Sequence, residues 1–256
     1  LVDHLFRSES GKMVSALVRI FGVNNVELAE DAVQDVLCRA LETCKYGRLP
    51  ENLSAWLMRA ARNRAIDIVR RHGHFAEIAA EVARFIESEW TLVPTVDALF
   101  EEHSIRDSEV RMMFSCCDPT LSGDSQVAII LKYLCGFSVA EIAQGFLTSE
   151  ATVEKRLTRA RAALAKSGAL YEVRDNGEVL ARLDSVHGAL YLFFNEGYHG
   201  GHPRAAVRED LCFEALRLAR MLAEHEAAAT PKTSALIALM CLHAARLPAR
   251  VDDEGG

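Results

Sequence analysis

Phe137 to Arg161 reads FSVAEIAQGFLTSEATVEKRLTRAR, and its punctuation decides the fold. Ser138 is placed to cap a short helix, and Glu141, three residues on, completes a capping box. Val139, Ile142 and Ala143 give that helix its apolar face. Gly145 offers a turn, and Thr148 or Ser149 can cap a second helix. Val153, Leu157, Ala160 and Leu164 then recur at helical spacing on one side. Lys155, Arg156, Thr158, Arg159 and Arg161 are expected on the exposed surface. Cap, turn and second cap in this order describe a helix-turn-helix whose second helix can enter a DNA major groove. An Arg-rich helix by itself would be only a solvated face.

Outward from this motif, helical periodicity dominates and no alternating strand pattern stands out, so the expected fold class is all-α. The 256 residues carry a formal net charge of -7, which excludes a general basic coat for nucleic acid. DNA contact must come from local patches. Seven cysteines, an odd number without a CxxC pair or zinc-finger spacing, read as buried free thiols of a reducing cytosol. No secretory signal and no membrane-spanning apolar run is present, so a cytoplasmic protein with no membrane partner is expected. The chain starts without Met and stops at VDDEGG, which reads as a trimmed sequence.

Four units are expected: residues 1–71 with four helices, a connector at 72–107 of mixed charge around Pro94, the helix-turn-helix unit at 108–170, and an Ala/Leu-rich helical unit at 171–256 after the turn-like Arg174-Asp175-Asn176-Gly177. In the first unit, VELAEDAVQDVLCRAL (Val26–Leu41) is amphipathic, with Leu28, Ala32, Val36 or Leu37, and Ala40 inward. Positions 27–42 carry a net -4, against a net +4 for WLMRAARNRAIDIVRR (Trp56–Arg71). One small domain thus offers an acidic face to a basic protein and a basic helix to phosphates. The loop between them, TCKYGRLPEN (Thr43–Asn52), is either a plain connector or a pocket for an unstacked base read by Asn52 and Ser54.

Together these stretches resemble an alternative bacterial sigma factor of the extracytoplasmic-function class. AEDAVQDVLCRAL is similar to the helix that grips core RNA polymerase, which implies polymerase contacts at Glu30, Asp31, Gln34 and Asp35. WLMRAARNRAIDIVRR resembles the segment that melts and reads the promoter -10 element. It implies DNA contacts at Asn52, Arg59, Arg62, Asn63, Arg64, Asp67, Arg70 and Arg71. SVAEIAQGFLTSEATVEKRLTRARAAL resembles the -35-reading unit, implying Ser149, Glu150, Thr152, Lys155, Arg156, Arg159 and Arg161. The implied architecture is two small helical sigma domains joined by a linker, followed by a helical extension.

DSEVRMMFSCCDPTL (107–121), LYLFFNEGYHG (190–200) and REDLCFEALRLARML (208–222) are similar to a subgroup whose C-terminal extension resembles tetratricopeptide repeats. Asp118 departs from that subgroup, which usually has His there, and members usually continue beyond residue 256. The resemblance implies no catalysis, no cofactor and no metal. It implies promoter DNA and core polymerase as partners, and an extension that meets a regulatory protein or the chain itself, to inhibit or to assist.

Other features admit two readings. His187, His199 and His202 near Asn195, Glu196 and Tyr198 suggest a metal or catalytic cluster, or a loop held by Asn and Tyr. Cys116 and Cys117 are small core residues or a redox switch, and charges at Asp210, Glu214, Arg217 and Arg220 can simply pair along a helix. His72 and His74 are DNA contacts or solvent-exposed side chains. A stand-alone helix-turn-helix regulator, and an enzyme with a DNA-binding module, are the alternative functions.

Overall fold

The computed structural model describes residues 2–45, 50–71, 79–83, 85–86, 88–167, 176–199 and 207–249. Among them every regular element is helical, as the sequence predicts. The helices are α1 (Val2–Phe21), α2 (Val26–Lys45), α3 (Leu53–Arg71), α4 (Ala80–Ala83), α5 (Glu89–Leu99) and α6 (Glu102–Ser115). They continue with α7 (Gly123–Tyr133), α8 (Val139–Gly145), α9 (Glu150–Ser167), α10 (Asn176–His199), α11 (Glu209–Glu224) and α12 (Pro231–Ala244). Residues 2–45 and 50–71 hold three α-helices and a 3-10 turn at Val23–Asn25 where four helices are expected. The expected connector is largely helical: Pro94 sits inside α5, and α6 runs through the expected boundary at 107/108.

α1 is the central strut. It packs on α2 and α3 to one side and on α6 and α7 to the other, and α10 lies against α6 and α7. The apolar stripes predicted for α2 and α9 are buried: Ala32, Val36 and Ala40 on the first, Val153, Leu157, Ala160 and Leu164 on the second. Two glycines permit close backbone approach. A Cβ on Gly11, in the middle of α1, would lie 2.1 Å from the Leu134 carbonyl oxygen at the end of α7. A Cβ on Gly197 of α10 would lie 2.8 Å from the Arg208 carbonyl oxygen ahead of α11. Glycine inside a helix costs roughly 0.5–1 kcal/mol relative to alanine, and at these two sites helix–helix contact offsets it.

The third unit departs from its expected layout. α10 runs on to His199, so Asn195–His199 is helix rather than loop. His202 and the turn at 174–175 lie outside the described residues, as do His72 and His74. His187 is buried and shares a 2.9 Å hydrogen bond with Thr233, while Tyr198 packs against the rings of Phe194, His199 and His243. Among the described residues, no group of three or more His, Cys, Asp or Glu is arranged to hold a metal ion, and no helix is long and apolar enough to cross a membrane. Cys116 and Cys117 are fully buried, and burial pushes both thiols up, Cys117 to about 12, which keeps them protonated and unreactive.

Candidate nucleic-acid and polymerase interface

The helix-turn-helix forms as its caps dictate. The Ser138 hydroxyl accepts a hydrogen bond from the Glu141 amide at 3.2 Å, and Glu141 Oε2 accepts from the Ser138 amide at 2.8 Å. Ser149, rather than Thr148, caps α9, accepting from the Thr152 amide at 3.3 Å. The turn is made differently from the sequence expectation. Gly145 ends α8 without a left-handed backbone, and Leu147 takes φ 51 instead. Its side chain is 94% exposed, so no packing compensates this strain.

The seven -35 candidates fall into two sets. Ser149, Glu150, Lys155 and Arg159 are exposed, and Thr152 is half-buried beside its cap. Arg156 and Arg161 face inward, against expectation. Arg156 Nη2 lies 2.9 Å from Asp124 of α7, and its guanidinium sits 5.1 Å from the Phe146 ring centroid. Arg161 Nη1 lies 2.8 Å from Glu27 of α2. Both sit beside the apolar stripe of α9, so their stems pack while their heads reach neighbouring carboxylates. Glu154 and Thr158 share the exposed face with Lys155 and Arg159. Thr158 is exposed as expected, while a search for basic residues alone passes over Glu154, although period 3.6 places it there.

The -10 candidates divide in the same way. Arg59, Asn63, Asp67 and Arg71 of α3 are exposed. Arg62 bonds Asp97 of α5 and Asn63, and the Asp97 bond raises the pKa of Arg62 further. Arg64 Nη2 lies 2.9 Å from Asp35 of α2, and Arg70 is exposed like Arg71. Asn52 caps α3, its Oδ1 accepting from the Ala55 amide at 2.9 Å. Asn52 and Ser54 line a cleft of about 1010 Å³ together with Phe213, Leu216 and Arg217 of α11. Gly47 of the adjoining loop lies outside the described residues.

On α2, Asp31 and Gln34 are exposed and Asp35 is held by Arg64. The Glu30 side chain is only 19% exposed because Lys132 Nζ of α7 lies 2.7 Å from it. A second charged node joins three parts of the chain. Glu141 of α8 receives Arg7 of α1 and Arg208, which precedes α11, each at 2.9 Å, and Arg208 also reaches Glu196 of α10 at 2.7 Å. Burial favours the protonated Glu141, but the hydrogen bonds and charges of Arg7 and Arg208 outweigh it and bring its pKa down to about 2. Glu196 moves the other way, because burial outweighs Arg208 there. Sequence spacing gives no hint of either partner.

The arrangement is that of an all-helical protein in which a helix-turn-helix unit follows a unit pairing an acidic helix with a basic one. Residues 5–75 match sigma-70 region 2, residues 111–164 match sigma-70 region 4, and residues 182–256 match a family of unknown function. The chain is 31% identical over 137 residues to the ECF RNA polymerase sigma factor SigL of Mycobacterium tuberculosis, covering 53% of this chain and 72% of that protein. It is 28% identical over 155 residues to SigW of Bacillus subtilis, covering 60% of this chain and 82% of SigW. The chain belongs to the ECF RNA polymerase sigma factor family. It is also 36% identical over 256 residues to the uncharacterized protein R00370 of Rhizobium meliloti, covering 99% of this chain but 59% of that protein's length. No solved structure matches the chain.

Proposed function

We propose that this chain binds core RNA polymerase and directs initiation at promoters with its own -10 and -35 elements, without catalysis of its own and in the cytoplasm. The observation that carries the reading is the ordered pair of modules, region 2 at 5–75 and region 4 at 111–164, each presenting an exposed charged face. Asp31 and Gln34 would lead the docking of α2 on basic polymerase surface, with Glu30 and Asp35 beside them. Lys155 and Arg159, with Glu150 and Thr152, would meet the -35 groove, where bidentate contacts to base edges discriminate by about 1–3 kcal/mol each. Arg59, Asn63 and Arg71 would hold the -10 backbone while a base is unstacked at a cost of a few kcal/mol. Polymerase attachment and capture of the single strand would offset that cost.

Residues 1–71 and 108–170 would then act as the two sigma domains, 72–107 as their linker and 171–256 as a repeat-like regulatory extension. The Arg208–Glu141 bond favours regulation through intramolecular contact. Reconstitution with purified core polymerase tests the proposal. Promoter-dependent transcripts that fall when Lys155 and Arg159 become Ala are expected. DNA binding without any polymerase association would replace it with a stand-alone regulator. Asp31→Lys should weaken the polymerase complex, and wild-type affinity in that variant would remove α2 from the docking surface.

A further inference from the structure

Glu150 and Glu154 both stand on the exposed face of α9, and local helix chemistry accounts for only the first. Glu150 opens the helix directly after the Ser149 cap, where the positive end of the helix dipole favours an acid. Glu154 lies one turn further in and has no such reason to be acidic. Among the described residues, its carboxylate has no hydrogen-bond or ion-pair partner. Thr158, next along the same row of the helix, sends its hydroxyl to the Glu154 carbonyl oxygen at 2.8 Å and not to the carboxylate. The other neighbour in that row is Glu150, and like charges four residues apart on a helix repel.

The same carboxylate opposes DNA. A helix that carries it into a groove walled by phosphates binds every sequence less well. A base edge can offset that cost, and only at particular sequences. The N-terminal turns of a recognition helix are the part that meets base edges, and Glu154 lies in the second turn of α9. An ionised carboxylate only accepts hydrogen bonds. Adenine offers it an amino group in the major groove but sets the N7 acceptor beside that group. Cytosine presents its N4 amino donor alone. We propose that Glu154 is a specificity-determining residue, accepting a hydrogen bond from the N4 amino group of a cytosine in the -35 element. The exposed Lys155 and Arg159 beside it supply the phosphate contacts that offset its repulsion. The assignment rests on α9 being the -35 reader, and it adds a base and the residue that reads it.

The test is a promoter library randomised across the -35 element. It is transcribed by core polymerase reconstituted with the full chain, and it is captured separately by the immobilised chain alone at about 50 mM salt. Wild type should select C·G over the other pairs at one position by about fivefold or more, the lower end of what a base contact discriminates. Glu154→Ala should lose the selection at that position and keep it elsewhere. Glu154→Gln should shift it towards adenine, which an amide pairs through N6 and N7. Circular dichroism should show unchanged helical content in both variants, because the carboxylate has no partner within the described fold.

Uniformly stronger binding of both variants, with the selection of wild type retained, overturns the assignment and leaves Glu154 a solvated surface acid. So does a base other than cytosine at the position that Glu154→Ala relaxes. If the immobilised chain selects cytosine through Glu154 but gives no transcripts with polymerase, the proposed function fails and the base contact stands. Absence of any selection in both arms overturns the base contact.

Discussion

Removing either member of the Arg217–Glu109 pair should have unequal effects. Glu109 of α6 is 1% exposed, and its two oxygens accept bonds from Arg217 of α11 at 2.6 and 3.1 Å. Arg217 is a third exposed and also bonds Glu214 at 2.7 Å. Glu109→Gln leaves Arg217 with Glu214 and with water, and should cost about 1 kcal/mol. Arg217→Ala strands a carboxylate with no access to solvent. Losing one partner of a buried pair costs about 3–5 kcal/mol, and the exposed end of Arg217 argues for the lower figure, about 3 kcal/mol.

The pH dependence separates the two variants further. Burial already raises the Glu109 pKa, and Arg217 is what restrains it. Without Arg217 it rises more. A carboxyl whose folded pKa exceeds its unfolded value stabilises the fold at low pH and loses that contribution as pH rises through the folded pKa. The Arg217→Ala deficit should therefore be larger at pH 7.5 than at pH 5, while that of Glu109→Gln should not grow, because wild-type Glu109, itself raised by burial, loses its contribution as pH rises and the Gln variant does not titrate. Thermal unfolding of wild type and both variants at the two pH values measures this. Melting temperatures should fall by roughly 6–12 °C and 2–4 °C respectively at pH 7.5. Equal losses, or an Arg217→Ala loss that does not shrink at pH 5, would refute the reasoning.

Glu141→Gln should remove part of the chain's acid sensitivity. Its pKa of about 2 means that its ion pairs stabilise the fold above the ordinary carboxylate range and are lost as pH falls from about 4.5 towards 2. Acid titration of unfolding should show about 3 kcal/mol less loss across that window in the variant, and an unchanged titration would count against the node. Leu147→Gly should stabilise the chain by about 0.5–1 kcal/mol in urea unfolding, because it relieves a left-handed backbone and gives up no packing; a destabilised variant would contradict the open turn. On promoter DNA with polymerase, Lys155→Ala or Arg159→Ala should each lower the salt slope of binding by about 1 if it meets a phosphate. Arg156→Ala should leave that slope intact and reduce stability instead, and a reduced slope would return Arg156 to the DNA surface.

What the sequence made legible is what local pattern encodes. Caps at Ser138 and Ser149 and the stripe Val153-Leu157-Ala160-Leu164 depend on spacing within one turn or one helix, and they formed as read. Exposure of the arginines did not follow from that pattern. A helical wheel marks Arg156 and Arg161 as flank positions, and only the arrival of Asp124 and Glu27 from other helices turns them inward. The turn at Leu147 was misassigned because glycine is the usual left-handed residue, yet the chain places the strain two residues past Gly145. Helix α10 runs through Gly197, where a loop was expected, because Gly197 serves close approach to α11 and not chain reversal. Gly11 carried the clearest unread signal: a glycine within an amphipathic helix whose cost only a distant backbone could explain.

The charge distribution also bears on how an acidic chain reaches DNA. Non-specific affinity for duplex grows with the number of phosphates neutralised, and six to ten contacts shift binding by about 10³–10⁵ between low and moderate salt. Among the described residues, Arg62, Arg64, Arg156 and Arg161 are each paired with a carboxylate of this same chain. Lys155 and Arg159 are the exposed cations at the centre of the α9 face, with Lys166 in its last turn, and Arg59, Arg70 and Arg71 are those of α3. These exposed cations sit on two separate helices and against a net charge of -7, an arrangement that disfavours tight duplex binding at physiological salt. A chain built this way gains its DNA contacts only when something else supplies proximity and displaces Glu27 and Asp35 from the arginines they hold. A measured affinity of the isolated chain for random duplex that is tight at 150 mM salt would show that those internal pairs open on their own, and that no displacing partner is needed.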